Sequence, residues 1–425
     1  MRKVLGLLLA LLLGSMSALG TTARAAEEDA RVAGKHLWTR QFGTDTYERG
    51  QGVAVNASGV DVVGHTGGTF PGQTSQGGQD GFVRKYDHTG KVMWTRQFGT
   101  IGSDDASAVA VDASGVYVVG DTTGALPGQT SRDLSDVFVR KYDHNGKVLW
   151  TRQFGTDESD RGRAVAVDAS GIYVAGSTQG TLPGQTPQGQ TDAFVRKYDR
   201  DGRYLWTRQF GTGESDHIRG ATVVASGVYV TGYTEGAFPG WENRGGRDVF
   251  VRKYDPAGKL RWTRQFGTGA WDEGYGVAAN ASGVYVTGYV KGPLPNQTHQ
   301  GGEDVFLRKY DPAGKVLWTR QFGTFTLDEG WGVALNASGV YVTGRTSAAL
   351  PGQTYLDWWD VFARAYGHNG QQQWTRQFGT VDKDWGSAVA ATASALYLAG
   401  DTGGTLPGQT SRGGLDAFVR KYATG

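Results

Sequence analysis

The heptapeptide W-T-R-Q-F-G-T at residues 38–44 decides the fold of this chain, because it occurs seven times. Each copy begins 56 residues after the previous one, and no insertion or deletion separates them. The copies start at Trp38, Trp94, Trp150, Trp206, Trp262, Trp318 and Trp374. A fixed period of this size is typical of proteins built from one repeated supersecondary unit. We therefore expect seven equivalent units within a single domain.

The second unit shows what each repeat contains. Runs rich in Val, Tyr and Phe at residues 108–111, 116–120, 136–142 and 147–154 predict four strands, which we name A to D in chain order. Tight turns join A to B and C to D, and a longer loop joins B to C. No segment carries a sustained 3.6-residue hydrophobic period. A four-stranded antiparallel meander with this period is typical of a propeller blade. The sequence therefore predicts an all-β, seven-bladed β-propeller.

The two ends of the repeat array predict how the ring closes. The first heptapeptide, with residues 34–37 before it, is a D strand without strands A to C of its own. The last unit has strands A to C but no D strand. We expect the N-terminal strand to complete the last blade, with Phe418–Tyr422 antiparallel to Leu37–Phe42, because this pairs two edges that would otherwise be exposed. Residues 26–425 would then form one propeller domain.

The first 25 residues have the pattern of a signal peptide. Arg2 and Lys3 are followed by an apolar run at residues 4–19 and by the A-x-A cleavage site Ala23-Arg24-Ala25. The alternative is an uncleaved membrane anchor, but glycines and serines interrupt a run that is already short for a membrane span. We expect cleavage after Ala25 and a secreted or periplasmic mature chain with no membrane span.

Composition limits the partners and cofactors of the chain. The 43 basic and 41 acidic residues are evenly spread and give a net charge of +2, so no basic block indicates nucleic-acid binding. The absence of cysteine excludes disulfides, thiol nucleophiles and cysteine-ligated metals. We expect a monomer without a cofactor.

The repeat unit resembles the bacterial SBBP family of β-propeller repeats. The resemblance lies in V-A-V-D-A-S-G-V-Y-V-x-G and D-x-F-V-R-K-Y-D-x-x-G-K-x-x-W, and it covers Trp38 to Tyr422. It implies a seven-bladed propeller in an exported bacterial protein, with no agreed activity. A weaker similarity to quinoprotein repeats implies a metal and quinone site, often with a vicinal disulfide, which the absence of cysteine argues against.

Two charged positions recur in every blade, which favours a structural role, because catalysis needs a residue only once. We expect an ion pair within each blade, or a hydrogen bond that caps a loop. The aspartate before strand C recurs at Asp80, Asp136, Asp192, Asp248, Asp304, Asp360 and Asp416. The arginine of strand D recurs at Arg40, Arg96, Arg152, Arg208, Arg264, Arg320 and Arg376.

A second acidic position lies ten residues after each heptapeptide tryptophan. One interpretation is a ring of carboxylates that attracts a cation at the channel mouth. The other is that each carboxylate accepts backbone hydrogen bonds and ties neighbouring blades together, since no D-x-D-x-D-G calcium loop accompanies it. The seven residues are Glu48, Asp104, Asp160, Asp216, Asp272, Asp328 and Asp384.

Six tryptophans outside the heptapeptide, all in blades four to seven, are the candidate ligand-binding residues. We place three in the loops between strands D and A and three in the loops between B and C, and these loops share one face of a propeller. Aromatic side chains on a variable face can form a platform for a glycan or a protein. Alternatively, each ring covers its own loop. The D–A residues are Trp271, Trp331 and Trp385, and the B–C residues are Trp241, Trp358 and Trp359.

Three function classes follow from these patterns. A noncatalytic binding module fits best, because the unique residues are aromatic. An enzyme at the central channel, either a hydrolase or lyase or a quinoprotein-like protein, would need an unrepeated acid–base pair, for which Glu242, Glu273 and Glu329 are the candidates. A purely structural exported propeller would bind nothing. We assign no catalytic residue.

Overall fold

The structure, a computed structural model, describes residues 32–425. The predicted signal peptide and the first residues of the predicted domain, 26–31, lie outside the described residues. Residues 32–425 contain no helix, and hence none that is long and apolar enough to cross a bilayer. Their 28 strands are β1 His36–Phe42, β2 Glu48–Asn56, β3 Gly59–Thr66, β4 Asp80–Tyr86, β5 Val92–Phe98, β6 Asp104–Asp112, β7 Gly115–Thr122, β8 Asp136–Tyr142, β9 Val148–Phe154, β10 Asp160–Asp168, β11 Gly171–Thr178, β12 Asp192–Tyr198, β13 Tyr204–Phe210, β14 Asp216–Val224, β15 Gly227–Thr234, β16 Asp248–Tyr254, β17 Leu260–Phe266, β18 Glu273–Asn280, β19 Gly283–Val290, β20 Asp304–Tyr310, β21 Val316–Phe322, β22 Asp328–Leu335, β23 Val340–Thr346, β24 Asp360–Tyr366, β25 Gln372–Phe378, β26 Asp384–Ala391, β27 Ala395–Thr402 and β28 Asp416–Ala423.

The turn between strands A and B shows why the repeat folds as a meander. In blade 2, the Asp112 carboxylate accepts a hydrogen bond from the backbone N–H of Ser114 at 2.7 Å. Gly115 then has φ +153°, and a Cβ there would lie 2.2 Å from the carbonyl oxygen of Tyr142. Only glycine tolerates both the dihedral angle and the close approach. The D-A-S-G motif therefore starts strand B against strand C.

The strands form seven antiparallel four-stranded sheets, which are the blades. Blades 1 to 6 take β2–β5, β6–β9, β10–β13, β14–β17, β18–β21 and β22–β25, and blade 7 takes β26, β27, β28 and β1. The A strand of each blade packs against the A strand of the next, and β26 of blade 7 packs against β2 of blade 1. The A strands thus close a ring around a central channel. This confirms the predicted all-β, seven-bladed β-propeller.

The ring closes through the N-terminal strand, as predicted. Strand β1 pairs antiparallel with β28, with Gln41 opposite Phe418 and Thr39 opposite Arg420. The N–H of Gly34 extends the pairing with a 2.9 Å hydrogen bond to the carbonyl of Ala423. We call β1 the clasp, because it belongs to the sheet of blade 7 while the chain continues directly into blade 1.

The hydrophobic core consists of seven clusters, and each lies between two neighbouring blades. At the junction of blades 7 and 1, Phe42 of the clasp packs edge-to-face on Phe82, with ring centroids 5.7 Å apart. The indole N–H of Trp38 donates to the carbonyl of His88 in blade 1 at 3.2 Å. The repeated Trp and Phe of strand D therefore pack between blades.

The predicted ion pair between the repeated Asp and Arg is wrong, whereas the predicted loop cap is confirmed. The residue opposite Arg96 in the pairing is Val83, three positions beyond Asp80. Instead, the Arg96 guanidinium donates to the carbonyl of Gly146 in the next blade at 2.8 Å. The Asp80 carboxylate accepts the backbone N–H of Gln76 at 3.0 Å, which caps the B–C loop.

This arginine should therefore stabilise the junction between blades. Replacing Arg208 with Ala removes a 2.8 Å bond from Nε to the carbonyl of Gly258 in the next blade. A hydrogen bond from a charged donor contributes roughly 1.5–3 kcal/mol. We expect the free energy of unfolding, measured by denaturant titration, to fall by about 2 kcal/mol.

Arg132→Ala is the matched control for that measurement. Its guanidinium is exposed and lies 3.6 Å from the exposed carboxylate of Asp157, an arrangement that contributes little to stability. Equal losses in the two variants would contradict the assigned role of the repeated arginine.

Candidate functional site

One residue in every A strand is skipped in the pairing with strand B. In blade 2, Ala106 lies opposite Gly120 and Ala108 opposite Val119, so Ser107 forms a β-bulge. A bulge redirects the side chain of the extra residue. The seven bulge residues, which we call the bulge ring, all line one cavity of about 450 Å³ in the central channel. They are Gln51, Ser107, Arg163, Arg219, Tyr275, Trp331 and Ser387.

Each A strand begins at a D–A loop, so the bulge ring lies near the channel mouth on the face of the D–A and B–C loops. Two further positions accompany it and also vary between blades: the residue directly after the repeated acid and its partner near the end of strand B. Arg49 lies opposite His65 in blade 1, and Trp385 lies opposite Asp401 in blade 7. Strands of similar sequence therefore present side chains at the channel mouth that differ from blade to blade.

Aromatic rings cover one side of this mouth. Tyr275 and Trp331 stack with centroids 4.8 Å apart and planes inclined by 14°. The Trp331 indole N–H donates to the Glu329 carboxylate at 2.7 Å, which fixes the ring. Two neighbouring bulge residues thus form an oriented, stacked aromatic pair.

Arg345 holds three of the predicted tryptophans together. Its guanidinium carbon lies 4.0 Å from the ring centroid of Trp359, 5.7 Å from that of Trp331 and 5.9 Å from that of Trp385. The same guanidinium donates to Glu329 at 2.5 Å. Cation–π contacts and a partly buried ion pair give this group a defined geometry. We call Tyr275, Trp331, Trp359 and Trp385 the aromatic wall.

The opposite side of the mouth, in blades 1 to 3, is polar. The His65 imidazole lies 2.9 Å from the Asp105 carboxylate, and Arg163 lies 3.7 Å from the Asp121 carboxylate. Burial raises the pKa of Asp121 to about 6, although Arg163 opposes the shift. For Asp105 burial acts in the same direction, but the hydrogen bond with His65 and the charge of Arg163 outweigh it and lower the pKa.

A third group of side chains lies at blades 4 and 5. His217 stacks on Tyr233 with ring centroids 4.8 Å apart. The guanidinium carbon of Arg247 lies 4.3 Å from the Tyr233 centroid. Burial, together with the charges of Arg219 and Arg247, lowers the pKa of His217 to about 4. The imidazole is therefore neutral at physiological pH. Arg247 also pairs with the buried Glu273 carboxylate.

The repeated acidic position behaves as the second interpretation requires. The Asp104 carboxylate is fully buried and accepts the N–H of Thr100 at 2.6 Å and its hydroxyl at 3.1 Å. The backbone N–H of Asp104 donates to the carbonyl of Gln79 in the preceding blade at 2.8 Å. Burial raises the pKa of Asp216 and Asp384 in the same position to about 6. Within residues 32–425, no group of three or more His, Cys, Asp or Glu residues is placed to hold a metal ion.

The six predicted tryptophans do not form one cluster. Trp331 and Trp385 lie inside strands β22 and β26 rather than in D–A loops, because strand A begins at the acidic position. Trp271 is half-exposed beside the mouth and contacts Arg247 at 4.6 Å. Trp358 is 60% exposed, with Lys383 over its ring at 5.2 Å. Trp241 lies elsewhere, in a cleft at the outer edge of blades 4 and 5.

Of the three glutamates considered as acid–base candidates, Glu242 lies apart from the other two. Glu273 and Glu329 are buried at the channel mouth and are paired with Arg247 and Arg345. Glu242 is exposed in the outer cleft next to Trp241. Glu242 is therefore remote from the other two, and each of these is held in an ion pair with an arginine.

Most of the polar residues at the mouth, including Arg49, Arg163, Arg219 and Arg345, were not predicted from the sequence. The signal was present: the first and third positions after the repeated acid differ in size and charge from blade to blade, whereas the residues around them are mostly small or apolar. Comparing the seven repeats with one another would have marked these positions. That they face one cavity follows from the bulge, which the sequence does not show.

No model of a known protein family matches the sequence. A 220-residue stretch is 30% identical to the regulatory protein FlaEY of Caulobacter vibrioides, covering 46% of this chain and 23% of that protein. A 229-residue stretch is 23% identical to the uncharacterized WD repeat-containing protein L264 of Acanthamoeba polyphaga mimivirus, covering 41% of this chain and 16% of that protein. The matched part is less than a quarter of either relative.

Solved structures match over nearly the whole described chain. The WD40 domain of Neurospora crassa Pan2 gives a TM-score of 0.50 at 10% identity, covering 90% of this chain and 97% of that one. The WD40 β-propeller domain of Doa1 gives 0.51 at 10% identity, with 91% and 96% covered. The polysaccharide lyase Uly1 gives 0.52 at 10% identity, with 94% and 95% covered. These likenesses show a β-propeller fold.

Proposed function

We propose that this chain is an exported, noncatalytic binding module of the SBBP type whose ligand, a glycan, is held at the channel mouth. The observation that carries the proposal is the bulge ring. Seven nearly identical blades each present one residue to the same cavity, and those residues include Gln, Ser, Arg, Tyr and Trp. A purely structural ring gains nothing from such differences, whereas a binding site needs them.

The aromatic wall favours a sugar ring as the ligand. An outer face of the Tyr275–Trp331 stack is a planar apolar surface that suits the C–H face of a pyranose. The guanidinium of Arg49, 4.9 Å from the Trp385 centroid, and the side chains of Gln51 and Ser387 surround this surface with hydrogen-bonding groups. A cavity of about 450 Å³ lies in the range of small-ligand sites. A sugar ring can stack its C–H face on an aromatic ring, while polar side chains in fixed positions form hydrogen bonds with its hydroxyl groups.

Fold neighbours support a binding role but leave the ligand class open. Two of them are WD40 domains, a class that usually binds proteins, and one is named a polysaccharide lyase. A protein that inserts a loop into the channel mouth is therefore the competing ligand.

Alanine substitution of the wall tests the proposal. Binding of the mature chain to peptidoglycan fragments, xylan, chitin oligosaccharides and polygalacturonate would be measured by calorimetry. We expect Tyr275→Ala and Trp331→Ala each to weaken binding by about 2 kcal/mol, or roughly 30-fold, because central aromatic residues dominate binding sites.

Tyr204→Ala is the control, because Tyr204 is an exposed aromatic residue at the start of the outer strand of blade 3 and does not line the channel cavity. Its binding should stay close to that of the unchanged chain, and all variants should unfold at similar temperatures. If none of the glycans binds, but a protein is captured and released by the same two substitutions, the site stands and the glycan assignment is wrong.

One observation favours a second candidate function, a lyase at the same mouth. A neutral His217 stacked on Tyr233, with Arg219 and Arg247 beside them, combines a proton acceptor with cations that could bind a uronate carboxylate. Formation of an unsaturated product from polygalacturonate, followed by ultraviolet absorbance and abolished in His217→Gln, would establish the lyase. Binding without product formation would support the noncatalytic module.

A further inference from the structure

The B–C loops of the seven blades share the motif Pro-Gly-Gln, and two neighbouring blades depart from it. Blades 1, 2, 3, 6 and 7 keep the motif at residues 71–73, 127–129, 183–185, 351–353 and 407–409. Blade 4 has Pro239-Gly240-Trp241, and blade 5 has Pro295-Asn296-Gln297. Both departures line one cleft of about 700 Å³ between the outer edges of blades 4 and 5. Two independent changes thus meet at one place.

The glutamine of this motif has a defined structural task in the other six blades. Its side-chain oxygen accepts the backbone N–H of the strand-D glutamine at 2.9–3.0 Å, as Gln73 does for Gln97 and Gln297 for Gln321. Trp241 has no such oxygen. Among residues 32–425, the N–H of Gln265 therefore has no equivalent acceptor. In blade 4, an aromatic ring therefore replaces the side chain that makes this structural hydrogen bond in the other blades.

The change in blade 5 also costs conformational energy. Asn296 has φ +60°, a dihedral angle at which the other six blades place glycine. Asparagine tolerates this region better than most residues but less well than glycine. At Gly240 and Gly352, a Cβ would meet no atom within 4 Å, so a side chain at this position extends into open space. The Asn296 carboxamide is accordingly free to meet a ligand in the cleft.

Polar groups surround the indole of Trp241, which is 36% exposed. The exposed carboxylate of Glu242 and the exposed guanidinium of Arg244 follow it in the chain, and Arg320 lines the wall formed by blade 5. The cleft thus combines one aromatic plane with a carboxylate, a carboxamide and guanidinium groups. Such a set offers both donors and acceptors around an apolar face.

We propose that this cleft is a second carbohydrate-binding site, separate from the channel mouth and independent of the function proposed there. A sugar ring stacks on Trp241. One of its hydroxyls accepts the Gln265 N–H in place of the missing glutamine oxygen, and others bond to Glu242 and Asn296.

An extended peptide fits the same cleft less well. A peptide adding to the edge of β17 would need the backbone groups of that strand. The carbonyl of Thr263 already accepts a 2.7 Å hydrogen bond from Arg264. The edge is therefore partly covered by its own side chain, which disfavours strand addition.

Reverting the departures to the repeat motif tests the proposal without endangering the fold. Trp241→Gln restores the glutamine that the other six blades carry, and Asn296→Gly restores the glycine that the other six blades carry. Both would be made in a Trp331→Ala chain, in which binding at the channel mouth is weakened. The probes are xylohexaose, cellohexaose, chitohexaose and an oligogalacturonate, measured by calorimetry.

We expect at least one of these saccharides to bind the Trp331→Ala chain, and Trp241→Gln to weaken that binding at least tenfold while raising the unfolding temperature. Asn296→Gly should weaken it severalfold. Unchanged binding in Trp241→Gln, no saccharide binding by the Trp331→Ala chain, or binding of extended peptides instead would overturn the proposal. The channel proposal is judged separately, by the effect of Trp331→Ala in the otherwise unchanged chain.

Discussion

A disulfide across the clasp is expected to stabilise the ring far more than the same disulfide inside a blade. Thr39 and Arg420 lie opposite each other in the pairing of β1 with β28. Replacing both with Cys closes a loop of about 380 residues, for which the chain-entropy estimate gives about 6 kcal/mol. The stabilisation arises because the unfolded chain loses conformational freedom when nearly the whole propeller is cyclised.

The equivalent pair in blade 3, Arg196 and Thr207, is the matched control. These residues are also directly opposite each other, but a disulfide between them closes only about 11 residues and should contribute about 3 kcal/mol. In both blades the arginine Nε has no hydrogen-bond partner, so the two substitutions remove similar interactions. Denaturant midpoints would be compared with and without reductant, in a chain that has no other cysteine. Equal stabilisation by the two disulfides would contradict closure through the clasp.

The sequence predicted the fold and the clasp because both depend on order and period alone. Seven units of constant length, with an unpaired D strand at one end and a missing D strand at the other, leave one antiparallel pairing that completes every blade. The Asp–Arg pair failed for a geometric reason. In the pairing of strands C and D, Arg96 lies opposite Val83. Its long side chain reaches the C–D turn of the next blade instead of the aspartate of its own blade. The side-chain contacts between neighbouring blades therefore cannot be predicted from the strand pairing within a single blade.

The site was predicted less well, because the bulge changes which side chains face the channel. Trp331 and Trp385 were correctly chosen as unusual residues but were assigned to loops, since the start of strand A is not visible in the sequence. Arg345, which joins them, lies in strand B and is distant in the chain. The sequence could have distinguished Trp241 from the other five candidate tryptophans, because only Trp241 replaces the glutamine of the Pro-Gly-Gln motif.

Asp401 should make the propeller less stable as the pH rises from about 4 to about 8. Its carboxyl is 3% exposed, and burial, with a further contribution from Asp384, raises its pKa to about 8 against the opposing charges of Arg49 and Arg345. Below pH 3.8 the carboxyl is protonated in both the folded and the unfolded chain. Above it, only the unfolded chain ionises, so the free energy of unfolding falls until the folded-state pKa is reached and then stays constant.

Asp401→Asn removes this titration while keeping the shape of the side chain. We expect the variant to be more stable than the unchanged chain by roughly 5 kcal/mol at pH 8 and nearly equal at pH 4, since each pKa unit corresponds to about 1.4 kcal/mol. Unfolding would be followed by denaturant titration at each pH.

Asp121→Asn tests the same position of the repeat in blade 2. Burial raises the pKa of Asp121 only to about 6, because Arg163 lies near its carboxylate. The free energy of unfolding therefore falls through this group only between about pH 4 and pH 6. At pH 8, Asp121→Asn should raise the free energy of unfolding by less than Asp401→Asn does. If the unchanged chain and the Asp401→Asn variant lost stability in parallel between pH 4 and pH 8, the buried carboxyl of Asp401 would be ionised in the folded propeller and would need a cationic partner at the channel mouth.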